Sequence, residues 1–322
     1  MLSPSTASPW AWIAQRVHHH TAHLSPTARA LLWAATAGLL FNLLNSVMRA
    51  LAQNIHPFQA QFLRYVCGLV VLMPLVLRHG MAAYRPQNIG GQFLRGALHT
   101  VALFFWFAAL PQIPLANMTA IGFSTPLFIM LGAYVFLREP MRWERWVATA
   151  LGFAGVIIIV GPQFGAGAVG SGGASSGWYH LLMLASAPLF AASFLVTKAL
   201  TRYETTGTIL VWQAITVTLL SLPMALLHWA APSAWQWAGF LLSGVLGSAA
   251  HYCLTRSFKK ADISATQSLK FLDLVWSALM GWLLFSDVPT AHAIIGGMVI
   301  SAATLWVARR ESRALPVTAQ DT

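Results

Sequence analysis

Long runs of apolar residues, separated by short polar gaps, make up most of this chain. A membrane-spanning helix needs about 20 largely apolar residues to cross the hydrocarbon core of a bilayer. Ten runs reach about that length, so the pattern predicts an all-α integral membrane fold with ten transmembrane helices. The predicted helices cover residues 29–49, 57–77, 93–111, 114–137, 143–162, 178–198, 207–229, 235–255, 263–285 and 289–308.

The composition also favours a membrane environment. Hydrophobic residues make up 57% of the chain and charged residues only 8%, whereas soluble domains average about 25% charged residues. The formal net charge of +11 first suggests a nucleic-acid partner. However, the basic residues lie in short gaps between apolar runs, and no nucleic-acid-binding motif is present. We therefore expect the lipid bilayer as a partner and no nucleic acid.

The basic residues predict how the helices are oriented, because Lys and Arg accumulate in cytoplasmic loops. With the amino terminus inside, most of the 19 Lys and Arg residues fall in cytoplasmic segments, and the external gaps 111–114, 163–177 and 230–233 carry no charge. This arrangement places Arg95 in a cytoplasmic segment at the start of the third helix. Both termini are expected in the cytoplasm, and the membrane is expected to be the plasma membrane, which in bacteria is the inner membrane.

The two halves of the chain resemble each other at a nearly constant offset. Residues 47–51 match residues 196–200 at an offset of 149, and Gly96 matches Gly244 at 148. Because each unit holds five helices, an odd number, the second unit enters the membrane from the opposite side. Such inverted repeats are typical of secondary transporters; chance similarity between apolar helices is the alternative. The predicted parts are a cytoplasmic N-terminal tail, 1–28; a first repeat, 29–162; an external Gly/Ser-rich linker, 163–177; a second repeat, 178–308; and a cytoplasmic C-terminal tail, 309–322.

Several short motifs carry a resemblance to a known family. They are Ser-Thr-Pro-Leu-Phe at 124–128, Phe-Leu-Arg-Glu-Pro at 136–140, Gly-Phe-Ala-Gly-Val at 152–156, Ala-Leu-Met-Gly-Trp at 278–282 and Ser-Asp-Val-Pro at 286–289. With them, the chain resembles the EamA-type branch of the drug/metabolite transporter superfamily. The resemblance implies a ten-helix, two-repeat carrier that works by alternating access around a central cavity. Members of that family move amino acids, S-adenosylmethionine, riboflavin, sugars and drugs.

Charged side chains inside a bilayer are costly, so each one indicates a functional or structural role. Lys270 and Asp273 are three residues apart in the predicted ninth helix and share one face of it. At 1.5 Å per residue, Lys270 lies about 12 Å into the membrane and Asp273 lies one turn deeper. We expect Lys270 to hold a substrate carboxylate or phosphate, and Asp273 to bind an amine or carry a proton. A mutually neutralised pair that only orders the helix is the alternative. Lys270 also departs from the family pattern, which often has Pro or a neutral residue near this position.

Other residues of the predicted helices are candidates for the same site, and each has a structural alternative. Arg64 is suited to bidentate recognition of an anion; otherwise it extends to the membrane surface or satisfies a carbonyl. Because an unperturbed histidine changes charge near neutral pH, His99 and His251 are, with Asp273, candidates for proton coupling; otherwise they bond neighbouring helices. The remaining candidates for substrate binding are Asn42, Asn45, Trp106 and Thr125, for which helix packing is the alternative.

Charged residues after the fourth and ninth predicted helices are candidates for a gate. Glu139 has Arg138 and Arg142 close to it in sequence, and Asp287 occupies the corresponding position of the second half, where the family usually has Glu. An ion network around Glu139 would close the cytoplasmic end of the carrier. A solvated loop is the alternative.

The sequence favours a secondary active transporter over other classes of membrane protein. Its expected substrate is a small polar metabolite, zwitterionic or anionic, such as an amino acid or a compound like S-adenosylmethionine or a flavin. No His-Glu-x-x-His, Gly-x-Ser-x-Gly or phosphate-loop motif is present, which argues against an enzyme, a bound metal or cofactor, and ATP-driven transport. A membrane-embedded enzyme and a receptor or scaffold without transport activity are the alternatives. We expect a monomer or a homodimer.

Overall fold

All regular structure is helical in the part of the chain that the computed structural model describes, which is residues 25–52, 55–109, 122, 124–139, 142–160, 175–263, 266, 269, 272–285 and 291–313. The α-helices are α1 Pro26–Ala52, α2 Pro57–His79, α3 Ile89–Ala109, α4 Thr125–Leu137, α5 Trp143–Val160, α6 Ser175–Leu200, α7 Thr206–Leu227, α8 Ala234–Lys260, α9 Leu272–Phe285 and α10 Ala291–Arg313. A short 3-10 helix, Met81–Tyr84, lies between α2 and α3. Each α-helix overlaps one predicted segment, and the all-α class is confirmed.

Five of these helices contain a stretch long and apolar enough to cross a bilayer. The stretches are Pro26–Leu51, Pro57–His79, Leu181–Leu200, Thr206–Leu227 and Ala234–Lys260. Shorter apolar stretches lie in α4, α9 and α10. The chain is therefore an integral membrane protein, and the number of crossings stays a prediction.

The described parts of two helices begin inside their predicted segments. α4 begins at Thr125, and Pro126 lies in its first turn, where a missing backbone N–H costs nothing. α9 begins at Leu272, and the described residues Ile263 and Thr266 before it are also helical. Residues 110–121 and several between 264 and 271 lie outside the described part.

Side-chain hydrogen bonds cap the first turns of α7 and α8. Thr205 precedes α7, and its hydroxyl accepts a hydrogen bond from the backbone N–H of Thr208. Ser233 precedes α8 and forms a capping box with Gln236, in which each side chain accepts from the backbone N–H of the other residue. These caps satisfy N–H groups that have no partner within the helix.

The helices pack in a pattern that repeats when each helix is exchanged for the one five places away. α1 packs on α8 as α6 packs on α3; α2 packs on α8 as α7 packs on α3; and α1 packs on α9 as α6 packs on α4. The remaining large contacts, α2 on α7 and α5 on α10, join helices that exchange with each other. This is the pattern expected of two equivalent five-helix units.

Glycines allow equivalent close approaches in the two halves. A Cβ added to Gly96 of α3 would overlap the side chain of Thr216 in α7, and one added to Gly244 of α8 would lie 2.7 Å from the backbone carbon of Cys67 in α2. Gly244 follows Gly96 by 148 positions, and Thr216 follows Cys67 by 149. Small residues at such crossings let helix backbones approach inside a membrane.

One end of the bundle, which we call the basic end, holds the start of α1 and the ends of α6 and α8. The Ser257 hydroxyl donates to the carbonyl of Ala30 at 2.8 Å. The Lys198 ammonium donates to the carbonyl of Phe258 at 2.6 Å. Basic residues near this end include Arg29, Arg202, Arg256, Lys259 and Lys260.

The opposite end joins the α1–α2 connection to the α7–α8 connection. The Gln59 side chain donates to the carbonyl of Ala230 at 2.5 Å and accepts from its N–H at 2.9 Å. The rings of His56 and His228 are stacked with centroids 3.9 Å apart. Partial burial, and then the charge of His228, lower the pKa of His56. Protonation of His56 therefore works against this contact.

Candidate functional site

A small cavity of about 20 Å³ lies at the centre of the bundle, between α2, α7 and α8. Its polar lining includes Arg64, Gln213 and His251, and glycines such as Gly68 and Gly244 bring the backbones together around it. A space of this size holds about one water molecule. The cavity combines a cation, an amide and an imidazole that come from three different helices.

Arg64 of α2 is a buried cation whose hydrogen-bonding capacity is unused. The residue is 9% exposed, and its guanidinium carbon lies 4.5 Å above the ring centroid of Tyr65. No described residue accepts a hydrogen bond from Arg64 or forms an ion pair with it. The Tyr65 hydroxyl is also buried and has no hydrogen-bond partner within the described part of the chain. Because unpaired buried donors are costly, these groups indicate a site for hydrogen-bond acceptors.

Arg95 differs from Arg64, because three hydrogen bonds use its donors. Its Nε donates to the Thr197 hydroxyl at 2.5 Å, one terminal nitrogen donates to the carbonyl of Ile209 at 3.2 Å, and the other donates to Gln213 Oε1 at 2.5 Å. The residue is only 2% exposed. The expectation that Arg95 lies in a segment between the helices is therefore wrong, and the side of the membrane on which it lies stays a prediction. Arg95 lies inside the bundle, where it joins α3 to α6 and α7.

The bond from Arg95 determines which way the Gln213 amide points. An arginine only donates, so the carbonyl oxygen of Gln213 must face Arg95 and its amide nitrogen must face the other way. That nitrogen lies 3.3 Å from Nε2 of His251. Because the amide nitrogen donates, His251 Nε2 must accept. His251 is therefore neutral in this arrangement, with its proton on Nδ1.

His99 of α3 extends this group of residues. Its ring centroid lies 5.6 Å from that of His251 and 6.4 Å from that of Tyr65. Its Nδ1 is buried, and none of the residues that the structure describes forms a hydrogen bond with it. Phe190 packs edge-on against His99 at 5.4 Å and against Trp106 at 6.2 Å. The predicted residues Arg64, His99 and His251 therefore lie together. Trp106 is separated from them by one ring.

Gln213 was not among the candidates predicted from the sequence. It follows Arg64 by 149 positions, the offset of the internal similarity. The two residues thus occupy corresponding positions of the two halves, and both line the central cavity. A search for charged residues passes over a glutamine, but the offset from Arg64 would have identified it.

Asp273 lies elsewhere, at the contact between α9 and α1. A Cβ added to Gly38 would overlap its carboxylate, and Asp273 is not among the residues that line the central cavity. Its predicted partner Lys270 lies outside the described residues. The predicted Lys270–Asp273 site therefore stays a prediction, with Asp273 beside the middle of α1.

The remaining candidates for substrate binding do not reach the cavity. The Asn42 amide donates to the carbonyl of Gly38 in its own helix at 3.0 Å, and Asn45 is exposed. Thr125 is partly buried at the start of α4. From the sequence, Pro126 was expected to free a carbonyl in the middle of a helix. In the structure Pro126 lies in the first turn of α4.

Near the basic end, the predicted gate residues bind to particular neighbours. Glu139 is 6% exposed, and its carboxylate accepts from the backbone N–H of Ile263 at 3.0 Å. Arg142 forms an ion pair with Glu144 at 3.5 Å. Arg138 is exposed and ends α4 with a left-handed φ of 54°. Asp287 lies outside the described residues.

A second ion pair lies beside Glu139. Arg145 of α5 pairs with Asp262, which follows α8, at 3.3 Å. Glu139 and Arg145 thus connect α4 and α5 to the segment that follows α8. A network of this kind would have to rearrange if these helices separated during transport, so the gate stays a prediction with a structural basis.

The described residues contain no group of three or more His, Cys, Asp or Glu side chains placed to hold a metal ion. Cys67 and Cys253 are buried free thiols. The polar groups discussed at and around the central cavity are those of Arg64, Arg95, His99, His251, Gln213 and Tyr65, and other polar side chains, such as Gln61, Gln92 and Thr100, are buried elsewhere in the described interior.

Comparison with known proteins identifies a transporter family and several named relatives. The profile of the EamA-like transporter family matches residues 28–161 and 177–309. A riboflavin transporter of Rhizobium johnstonii is 35% identical over 88% of this chain and 91% of its own. An S-adenosylmethionine uptake transporter of Rickettsia felis is 29% identical over 84% and 90%. A pseudopaline exporter of Pseudomonas aeruginosa is 24% identical over 87% and 95%. A solved crystal structure with a TM-score of 0.75 and 22% identity covers 89% of this chain and 99% of its own, a likeness of fold alone.

Proposed function

Because the chain belongs to the EamA-like transporter family, we propose that it carries a planar, acceptor-rich metabolite of the flavin type across the membrane by alternating access. The general function, transport of small metabolites across a membrane, agrees with the names of the relatives. The flavin proposal depends on the chemistry of the central cavity and on the riboflavin transporters among those relatives.

The unpartnered guanidinium of Arg64 is the observation that carries this proposal. A buried arginine that lines a cavity and has no bonded neighbour in the described structure requires an acceptor from a ligand. The flavin ring system offers two carbonyl oxygens and ring nitrogens in one plane, which suits the planar fork of a guanidinium. The hydroxyl of Tyr65 and Nδ1 of His99 add two further polar groups that have no partner among the described residues. Aromatic side chains around His99 favour a flat solute.

A sulfonium metabolite of the S-adenosylmethionine type is the competing substrate, because several relatives carry that name. Its carboxylate would suit Arg64. Its sulfonium cation, however, would have to enter a cavity whose described lining includes an arginine and no acid. The described acid nearest the middle of α1, Asp273, lies at the α1–α9 contact instead. The charge of the cavity therefore favours a neutral or anionic solute.

We propose an inverted-repeat architecture of ten crossings, with the basic end in the cytoplasm of a bacterial inner membrane. The exchange pattern of the helix contacts supports two equivalent units, and the profile match covers each half once. A cavity of about 20 Å³ is far smaller than the roughly 300 Å³ of a typical ligand pocket. Solute binding therefore requires α2, α7 and α8 to move apart.

Protonation offers a way to couple that movement to a proton gradient. A proton that arrives at Nε2 of His251 breaks its bond to Gln213, because both atoms would then be donors. The same step weakens the connection from α8 through Gln213 to Arg95. We propose His251 and His99 as the proton-sensitive pair of the cavity, with Asp273 as a further candidate.

Counterflow into proteoliposomes tests the proposed substrate without depending on transport direction. Vesicles preloaded with unlabelled riboflavin should accumulate radiolabelled riboflavin, and excess external S-adenosylmethionine or amino acids should not compete. Recovery of the label unchanged would separate transport from an enzymatic reaction. Accumulation of labelled S-adenosylmethionine but not of riboflavin would reject the flavin proposal. Accumulation of neither would favour a receptor or scaffold.

The same assay tests the predicted site in the ninth helix. We expect Lys270→Ala and Asp273→Asn each to abolish counterflow while the protein still inserts into the membrane. Wild-type rates in both variants would remove these residues from the mechanism and leave the Arg64 cavity as the site.

A further inference from the structure

A second, larger cavity opens near the basic end of the bundle. It has a volume of about 370 Å³ and lies between α2, the 3-10 helix, α7 and α8. We call it the basic vestibule. Its lining residues of functional interest are His79, Tyr84, Thr206, Tyr252, Arg256 and Lys259. Leu72 and Leu210 line both this vestibule and the central cavity, so these two side chains lie at the boundary between the cavities.

The charge of the basic vestibule is one-sided. Three basic residues, His79, Arg256 and Lys259, belong to its described lining, and no Asp or Glu does. Glu204 is adjacent in sequence to the lining residue Thr205, but its carboxylate accepts hydrogen bonds from the N–H groups of Gln87 and Asn88, at 2.8 and 3.1 Å. That carboxylate is therefore already engaged at the start of α3.

Arg256 is held in place by rings and not by an acid. Its guanidinium carbon lies 5.8 Å from the ring centroid of Tyr252 and 6.0 Å from that of Trp33. Its Nε is buried and has no hydrogen-bond partner among the described residues. Arg256 and Lys259 are three positions apart on α8 and so share one face of that helix. Two cations thus lie on one side of the vestibule, and no acidic residue of its described lining neutralises them.

The start of α7 adds a third positive element. The Thr205 hydroxyl occupies the N–H of Thr208, which leaves the first N–H groups of the helix, those of Thr206 and Gly207, without partners inside the helix. Both residues line the vestibule. A helix amino terminus carries a partial positive charge and binds phosphate groups through such N–H groups.

We propose that the basic vestibule binds a phosphate-bearing anion between Arg256, Lys259 and the amino terminus of α7. Tyr84 and Tyr252 provide aromatic surface for an organic group attached to the phosphate. The phosphate belongs either to a soluble metabolite or to the headgroup of an anionic lipid. An anion bound in the vestibule would lie next to Leu72 and Leu210, on the route between the central cavity and the basic end. Its effect on solute movement along that route rests on the proposed transport function.

Calorimetric titration of the full chain in nanodiscs tests this site without requiring transport. In discs of phosphatidylcholine alone, phenyl phosphate should bind and phenol at equal concentration should not. Lys259→Gln and Arg256→Gln should each weaken phenyl phosphate by about tenfold or more, as expected for loss of a charge-assisted hydrogen bond. Lys260→Gln is the matched control, because this lysine neighbours Lys259 but does not line the vestibule. The Lys260→Gln variant should bind phenyl phosphate with the affinity of the wild type.

Anionic lipid distinguishes the two sources of the phosphate. If phenyl phosphate does not bind, but native mass spectrometry detects retained phosphatidylglycerol that Lys259→Gln loses and Lys260→Gln keeps, the ligand is a lipid headgroup. Equal binding of both probes by wild type and Lys259→Gln would overturn the proposal. Failure of the transport proposal would appear in riboflavin counterflow, whereas failure of this site would appear in the phenyl phosphate affinities of wild type, Lys259→Gln and Lys260→Gln, so the two give different results.

Discussion

Arg64 and Arg95 are two buried arginines with opposite environments, and they make a matched pair for mutagenesis. Arg64 has no bonded partner among the described residues, whereas Arg95 makes three hydrogen bonds that join α3 to α6 and α7. The same change, arginine to glutamine, should therefore have different consequences at the two positions. Arg64→Gln should impair function, and Arg95→Gln should impair the fold.

The expected magnitudes follow from these contacts. A hydrogen bond to a charged group contributes about 1.5–3 kcal/mol, so Arg64→Gln should lower the transport kcat/KM about 10- to 150-fold. The empty protein should lose no stability, because an unpaired charge inside a bilayer costs about 2.5–3.5 kcal/mol on insertion scales. Arg95→Gln removes up to three hydrogen bonds of a charged group, a loss of about 4.5–9 kcal/mol at about 1.5–3 kcal/mol per bond. Removal of the buried charge offsets about 2.5–3.5 kcal/mol of that loss, so the free energy of unfolding should fall by roughly 2–5 kcal/mol.

Two measurements separate these effects. Riboflavin counterflow reports function, and the melting temperature of the detergent-purified protein, followed by tryptophan fluorescence, reports stability. The expected pattern is a wild-type or higher melting temperature with poor transport for Arg64→Gln, and a clearly lower melting temperature for Arg95→Gln. If Arg64→Gln melted as early as Arg95→Gln, Arg64 would be a structural residue. If it melted normally and transported normally, the cavity would not be the substrate site.

Three further predictions concern packing, pH and topology. Gly244→Ala places a Cβ 2.7 Å from backbone atoms of α2 and should destabilise the protein by about 1–3 kcal/mol, seen as a lower melting temperature. The pKa of His56 is lowered by burial and by His228, so the folded state takes up this proton less readily than the unfolded state. Stability should therefore be full above pH 6.5 and fall as the pH drops below it, and His228→Phe should reduce that loss in melting scans from pH 8 to pH 5. The carboxyl terminus is expected in the cytoplasm. A reporter that works only in the cytoplasm should therefore be active when it is fused after Arg313, and a reporter that works only in the periplasm should be inactive there.

Each of these predictions has a result that would contradict it, and the glycine substitution also has a matched control. Gly297→Ala is the partner for Gly244, because its nearest atom is 4.0 Å away and the substitution should be tolerated; equal melting of both variants would contradict the close crossing. Identical pH profiles for the wild type and His228→Phe would show that the stacked pair does not control acid sensitivity. A periplasmic signal from the reporter would exclude an even number of crossings with the amino terminus inside.

The sequence by itself determined the helical class, the membrane environment and the family. These properties depend on sums over local segments, because about 20 apolar residues in a row favour lipid wherever they lie in the chain. The internal offset also came from the sequence, since it compares residues directly and needs no contacts. It would have paired Arg64 with Gln213 if it had been applied to polar residues.

Only the tertiary structure decided which polar groups meet. Arg95 lies near the start of the predicted third helix and close to a charged gap, so in sequence it resembles a loop residue, but packing brings it to Gln213, 118 positions away. His251 and Tyr65 join the same cavity from other helices, and Asp273 lies against α1 outside it. The basic vestibule is likewise assembled from α2, α7 and α8. Hydropathy describes how each segment meets its solvent, whereas a site depends on the angle and rotation at which distant segments pack against one another.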